Sequence, residues 1–262
     1  MYHIMREWGI MDANGDVDAS RIWNCDEKGL LDIPKEGYAI GIPGEKLQQQ
    51  TSSDKGTLST MLLYLCADGS YMPPMIIHKG ARVTKEWRDH AWPGVQVRCS
   101  DTGYIKNHLF MESGEQFIRH LKHEKRLKQG ERTCLLLDGH SAHLFNLQFM
   151  LLMLQHMVEV FCFVPHTTQD AQPADDIVFK EVNEAWNLDL RVYNRKESAR
   201  RLKKCDFLLV LHSVLQRALT KRNIISSFRA TGVCPVDRSR ITDEQLAPSL
   251  VTDRRKSCVV LT

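Results

Sequence analysis

An α/β fold, a mixed sheet with helices packed on it, is what this 262-residue sequence predicts. Strand-like runs crowd the first two thirds of the chain. Two continuous apolar runs, "CLLLDG" (134–139) and "VEVFCFVP" (158–165), are joined by an apolar helical stretch near 144–157, the pattern of buried parallel strands in a βαβ unit. After Pro173 the text turns helical through about Asn187, and a second helical region runs from Glu197 to about Gly232.

The elements follow in order. "RIWNCDE" (21–27) is short and rich in β-formers. "TLSTMLLYLCADGSYMPPMIIHKG" (57–80) is two strand-like runs about an Asp68-Gly69 turn, a hairpin signal, with Pro73 and Pro74 demoting the second arm to an edge strand or a bulged one. "VQVRCS" (95–100) reads as a further short strand. Leu109, Phe110, Phe117, Ile118 and Leu121 then mark a helix with a weak point at Gly114. The expected organisation is a lead-in over 1–20, a sheet domain over 21–190 and a basic helical C-terminal region over 191–262, packed on the core.

Composition narrows the function. With 43% apolar and 26% charged residues the chain builds an ordinary core. Its greasiest segment, "LQFMLLMLQHMVEVFCFVP" (147–165), is broken by Gln155, His156 and Glu159, so neither a membrane span nor a secretory leader is expected. The eight cysteines include no CxxC pair, which favours reduced thiols over a disulfide frame or zinc finger. Residues 191–262 carry 16 Lys/Arg against 6 Asp/Glu, whereas the preceding residues carry 19 against 26. A basic tail on a mildly acidic body fits either a solvated helical surface or contact with nucleic-acid phosphates. Arg200, Arg201, Lys203 and Lys204 cluster there and are the candidate phosphate contacts.

Aspartates stand at three element edges. Asp26 ends "IWNCD", Asp138 ends "CLLLD", and "TTQDAQPADD" (167–176) follows the last strand-like run. Sites in open α/β sheets form outside the carboxyl ends of parallel strands, where acids from separate strands can meet. Helical phase separates the last cluster. With Pro173 at the first helical position, Asp175 shares the buried stripe with Phe179, Val182 and Trp186, while Asp176 lines up with Lys180, Asn183 and Asn187. Asp170 precedes the helix, as a cap or an added charge. Acids in a helix's first turn are favoured by its dipole alone, by about 0.3 to 1 kcal/mol, but a carboxylate aimed from an apolar stripe needs a partner or a metal. Three carboxylates suit Mg²⁺ or Mn²⁺, and two such ions about 3.5 to 4 Å apart can drive phosphoryl transfer on nucleic acid.

Other motifs carry less. "DGHSAH" (138–143) has the spacing of a mononuclear metal site but no second His-rich motif, and "GIPGEK" (41–46) lacks the ending of a phosphate loop. Cys134 and Cys162 lie inside apolar runs and read as inert thiols. The stripe Phe145, Phe149, Leu152 and His156, flanked by Leu147, Leu151 and Leu154, reads as a core helix, and Trp186 as a packing residue.

"NCDEKG" (24–29), "SDTGYI" (100–105), "LLLDGHSAH" (135–143), "PHTTQDAQPADDIVFK" (165–180) and "SFRATGVCPV" (227–236) together resemble the DDE superfamily endonuclease domain of pogo-like transposases, the group of Tigger, jerky-like and centromere protein B sequences. The resemblance runs from about residue 20 to 240. It implies an RNase H-like fold and a metal triad of Asp26, Asp138 and Asp175 holding two Mg²⁺ or Mn²⁺ ions. It also implies DNA as partner, a nuclear location, and nicking or strand transfer as the reaction; a homodimer is compatible with it. The chain departs from the family pattern at Ala171 and Ala174, where bulky apolar residues are usual, and at Asp170 and Asp176. Family members also carry helix-turn-helix domains ahead of the catalytic domain, which a longer chain or a partner would have to supply. The alternative is a domesticated DNA- or protein-binding module with weak or no catalysis.

Overall fold

The computed structural model describes residues 2–34, 56–138, 146–163, 172–197, 201–237 and 239–240. Their strands are β1 (Ile22–Leu31), β2 (Leu58–Cys66), β3 (Tyr71–Lys79), β4 (Gln96–Ser100), β5 (Thr133–Leu137) and β6 (Val158–Cys162). They form a six-stranded sheet in the order β4-β3-β2-β1-β5-β6. The β1/β2 and β2/β3 pairs are antiparallel, and β3/β4, β1/β5 and β5/β6 are parallel. The sheet is therefore mixed, with the long strand β1 at the switch from one pattern to the other.

The hairpin expected over 57–80 forms. Asp68 Oδ1 accepts from the Ser70 amide at 2.8 Å and from its hydroxyl at 2.6 Å, and Gly69 takes φ +92°, a conformation that suits glycine. The two prolines do not put β3 at an edge. Between Leu62↔Met75 and Tyr64↔Met72 the register shifts, so that Pro73 and Pro74 together oppose Leu63 in a bulge. The parallel partner β4 pairs only from Met75 onward, beyond the residues that lack an amide hydrogen.

The helices are α1 (Tyr2–Glu7), α2 (Lys85–Arg88), α3 (Asn107–His123), α4 (Leu147–Gln155), α5 (Phe179–Glu197), α6 (Phe207–Ala218) and α7 (Lys221–Ala230). Strand alternation divides the core into two layers. Trp23, Cys25, Leu135 and Leu137 face α3 and α4, where Phe117 and Phe149 are buried. Ile22, Leu30 and Leu136 face the opposite layer, with Met5, Trp87, Val182, Trp186, Leu211 and Ile224. The C-terminal helices thus share the core of the sheet, and the boundary expected at 190 falls inside α5.

Gly114 does not weaken α3, which is continuous over 17 residues. A Cβ there would lie 2.7 Å from two ring carbons of Phe149, so glycine lets α3 and α4 approach. Of the stripe expected on α4, Phe149 is buried and Leu152 and His156 are half-buried, while the other buried residue of the helix is Met153, outside that stripe. Leu147, Leu151 and Leu154, spaced along one face, are 69%, 48% and 59% exposed. Trp186 is a packing residue: it is buried, and its indole N–H donates to the Leu31 carbonyl at 2.8 Å.

Candidate metal centre

Residues 22, 24, 26, 28 and 30 of β1 point to the layer of α5–α7, because Ile22 and Leu30 are buried there and side chains alternate along a strand. Asp26 is therefore on that face. On β5 Cys134 and Leu136 face the same layer, and Asp138 follows two positions after Leu136. The parallel ladder pairs Ile22↔Cys134, Trp23↔Leu135 and Asn24↔Leu136, and ends there. Two residues past its last rung, Asp26 and Asp138 are level with each other at the carboxyl end of β5. Open α/β sheets place their sites at such an edge.

The third acid arrives on the helix that covers this edge. Pro173 opens it with αR backbone angles, and Ala174–Val178 form a π turn in which the Phe179 amide donates to the Ala174 carbonyl. The wider turn alters the expected phase. Ala174 and Val178 take the buried positions, with Phe179, Val182 and Trp186 continuing the stripe. Asp175 is consequently half-buried rather than on the buried stripe, a correction to the phase calculated from regular α geometry. Asp176 pairs with Lys180 at 3.1 Å, on the polar side expected for it.

Asn24 connects these pieces. It is fully buried; its Nδ2 donates to the Leu136 carbonyl at 3.1 Å and its Oδ1 accepts from the Ala174 amide at 2.9 Å. An unpaired buried amide costs about 1 to 3 kcal/mol, and here both ends are paired.

The acids feel one another. Burial pushes the Asp26 carboxyl well above its usual range; Asp175 and Asp138 push it further, against one backbone hydrogen bond from Glu27. That bond, 2.7 Å to Oδ1, leaves the buried Oδ2 without a partner among the described residues. Burial also raises Asp175, with Asp138 adding to the rise and Lys28 and Lys180 opposing it. Asp138 likewise contributes to the raised thiols of Cys25 and Cys162, both lifted mainly by burial. Carboxylates from three separate elements thus share one electrostatic environment, which disfavours their simultaneous ionisation.

Among the described residues, no three His, Cys, Asp or Glu side chains close around a metal position. The donor set nevertheless fits a hard divalent cation: it is all oxygen, it includes a buried oxygen with no partner, and its acids are destabilised by their own charge. Asp26, Asp138 and Asp175 would hold the ion. Lys28, on the same face of β1, lies over the Phe179 ring at 5.4 Å and supplies the positive charge nearest in effect to Asp175. Neither Asn24 nor Lys28 was singled out from sequence, although both lie two residues from Asp26 and a period of two would have put all three on one face.

The basic residues of the tail are engaged elsewhere. Arg201 Nε meets Asp32 Oδ2 at 2.6 Å, beyond the far end of β1, and its Nη2 donates to Thr57 Oγ1. Lys203 pairs with Glu197 at 2.8 Å and Lys204 lies 5.5 Å over the Trp87 ring. Arg200, Asp170, His140, His143, Phe145 and the 41–46 segment lie outside the described residues. Cys134 and Cys162 sit in β5 and β6 with thiols pushed up by burial to about 12 and about 11, which fits inert thiols.

Comparison with known proteins agrees with the fold. The chain is similar to the Mos1 mariner paired end complex with Mn, at 13% identity and a TM-score of 0.50, over 86% of this chain and 59% of that one. Its likeness to the Mos1 paired end complex with Mg gives 12% identity and a TM-score of 0.49, over 86% and 59% of the two chains. The mixed six-stranded sheet flanked by helices matches the RNase H-like fold of that transposase. A curated relative, the MFS-type transporter clz9 of Cochliobolus lunatus, is 25% identical over 219 residues, 82% of this chain and 23% of that protein. The chain thus spans under a quarter of that relative, and among the described residues no helix is long and apolar enough to cross a membrane. The DDE superfamily endonuclease family matches residues 55–228, a span that contains Asp138 and Asp175 and begins after the strand that carries Asp26. On that match the chain belongs to the DDE superfamily endonuclease family.

Proposed function

We propose that this chain is a metal-dependent nuclease domain of transposase type, acting on DNA phosphodiesters, with Asp26, Asp138 and Asp175 as the ligands of Mg²⁺ or Mn²⁺. The observation that carries the proposal is the placement of Asp26 and Asp138 level with each other at the carboxyl end of β5, with Asp175 on the helix that covers that edge. A divalent ion bound there supplies an activated water or hydroxyl and neutralises charge on the leaving 3′ oxygen. The chain's own residues set the conditions for this. Asp26, raised first by burial and further by Asp175 and Asp138, would give up its proton to a bound cation. Lys28, the cation that most opposes the rise of Asp175, would be available to a phosphate oxygen once a metal ion balances that acid. Lys203 and Lys204 would extend a basic surface for the DNA backbone: the exposed Lys203–Glu197 pair is weak enough for a phosphate to displace the acid, whereas Arg201 is held by the buried Asp32. A nuclear location and a helix-turn-helix region in a longer chain or partner complete the proposal.

Supercoiled DNA incubated with the chain and Mg²⁺ or Mn²⁺ tests it. Metal-dependent nicking that disappears in Asp138→Asn supports the proposal. Equal nicking by both proteins, or none by either across metals and salt, overturns it.

A further inference from the structure

The acid triad depends on how three elements are held together, and the backbone does only part of this. The β1/β5 ladder stops at Asn24↔Leu136, two residues short of Asp26 and Asp138. The helix carrying Asp175 begins with amides that it cannot satisfy itself. Both gaps fall at the same buried side chain.

We propose that Asn24 is the positioning residue of the metal centre, a role that rests on the function proposed above. Its Nδ2 donates to the carbonyl of Leu136, two residues before Asp138. Its Oδ1 accepts from the amide of Ala174, one residue before Asp175. Its own backbone lies two residues before Asp26, on the same face of β1. One planar amide therefore touches all three acid-bearing elements, and its donor and acceptor are spent on different ones. Leucine has nearly the same volume and could fill the site, but it can make neither bond. Serine can make both kinds of bond but is too short to span them together. Asn24 holds the backbones that support the three acids together through these two bonds. The site is then assembled before the ion binds, and less of the binding free energy is used in gathering the ligands.

The test measures Mn²⁺ binding by the full chain from the free-ion electron paramagnetic resonance signal, a readout independent of cleavage. Asn24→Leu is compared with Asp138→Asn and with Ile118→Ala, a buried substitution in the opposite layer. Loss of the positioning contacts is expected to weaken Mn²⁺ binding about 10- to 100-fold. Ile118→Ala is expected to lower the thermal midpoint and leave Mn²⁺ affinity unchanged. Unchanged affinity in Asn24→Leu, or an equal loss in Ile118→Ala, overturns the role of Asn24 alone. Absence of binding by the unsubstituted chain, or equal binding by Asp138→Asn, overturns the metal centre and the positioning role with it. Amide hydrogen exchange on the unsubstituted chain covers the case in which Asn24→Leu does not fold. The Ala174 amide is expected to be protected without metal and slowed further by Mn²⁺; an unprotected or Mn²⁺-insensitive amide overturns the inference.

Discussion

Asp26→Asn is expected to stabilise the metal-free chain while abolishing its response to Mn²⁺. The fold raises the Asp26 carboxyl by burial and by its two acidic neighbours, so the folded chain binds a proton at pH values where the unfolded chain has released it. Stability therefore falls as pH rises from the ordinary value of 3.8 through the raised one. Asparagine carries no such proton, so the advantage of the variant is small near pH 4 and grows until the raised value is passed. Among the described residues the buried Oδ2 has no partner; an unsatisfied buried group costs about 1 to 3 kcal/mol, more when it is charged, and the asparagine amide leaves the same place unpartnered but without the charge. A gain of about 1 to 3 kcal/mol at pH 8 follows, or roughly 2 to 4 °C in Tm for each kcal/mol. Thermal scans in EDTA from pH 4 to pH 8 read this directly. Mn²⁺ at about 1,000 times its Kd should reverse the order, since it adds about 4.1 kcal/mol to the form that binds it. A variant no more stable than the unsubstituted chain at pH 8 in EDTA would refute the electrostatic reasoning.

Other outcomes are expected on the same physical grounds. Mn²⁺ binding should release protons from Asp26 and tighten as pH rises, measurable by calorimetry in buffers of different ionisation enthalpy; a pH-independent affinity would contradict it. Gly114→Ala should cost about 1 to 3 kcal/mol in urea unfolding, because its methyl meets the rigid Phe149 ring. Arg126→Met should cost about 1 to 3 kcal/mol by the same assay, since it removes the charge-assisted bond to Asp68 and the bond to Ser70 that the guanidinium makes at 2.7 and 2.9 Å. If Lys203 and Lys204 contact DNA, changing both to Gln should lower the slope of log affinity against log salt by about 0.9 for each lysine.

Much of this architecture was legible because local chemistry and tertiary context agreed. The Asp68-Gly69 turn and the runs on either side of it specify the hairpin, and the two apolar runs about α4 specify the parallel pair β5/β6. Pro73 and Pro74 were ambiguous from sequence, since a missing amide hydrogen is tolerated either at an edge or in a bulge. Only the partner strand decides, and β4 starts just past them. Helical phase separated Asp175 from Asp176 but misjudged its burial, because a π turn adds a residue that α periodicity does not count. The exposed leucines of α4 were also misread: an almost wholly apolar helix has no polar face to show which side is outward. Asn24 escaped notice because its importance lies in contacts with residues 112 and 150 positions away. Nothing local in "WNCD" reports them.

The central claim is that Asp26, Asp138 and Asp175 hold a common divalent ion. Fe²⁺ can replace Mg²⁺ or Mn²⁺ among oxygen ligands, and with ascorbate and peroxide it cuts the polypeptide near the place where it is bound. The three-aspartate site predicts simultaneous cuts around residues 24–28, 136–139 and 172–177, all suppressed by excess Mg²⁺ and all lost in Asp138→Asn. Cuts confined to one of these segments, or unaffected by Asp138→Asn, would contradict it.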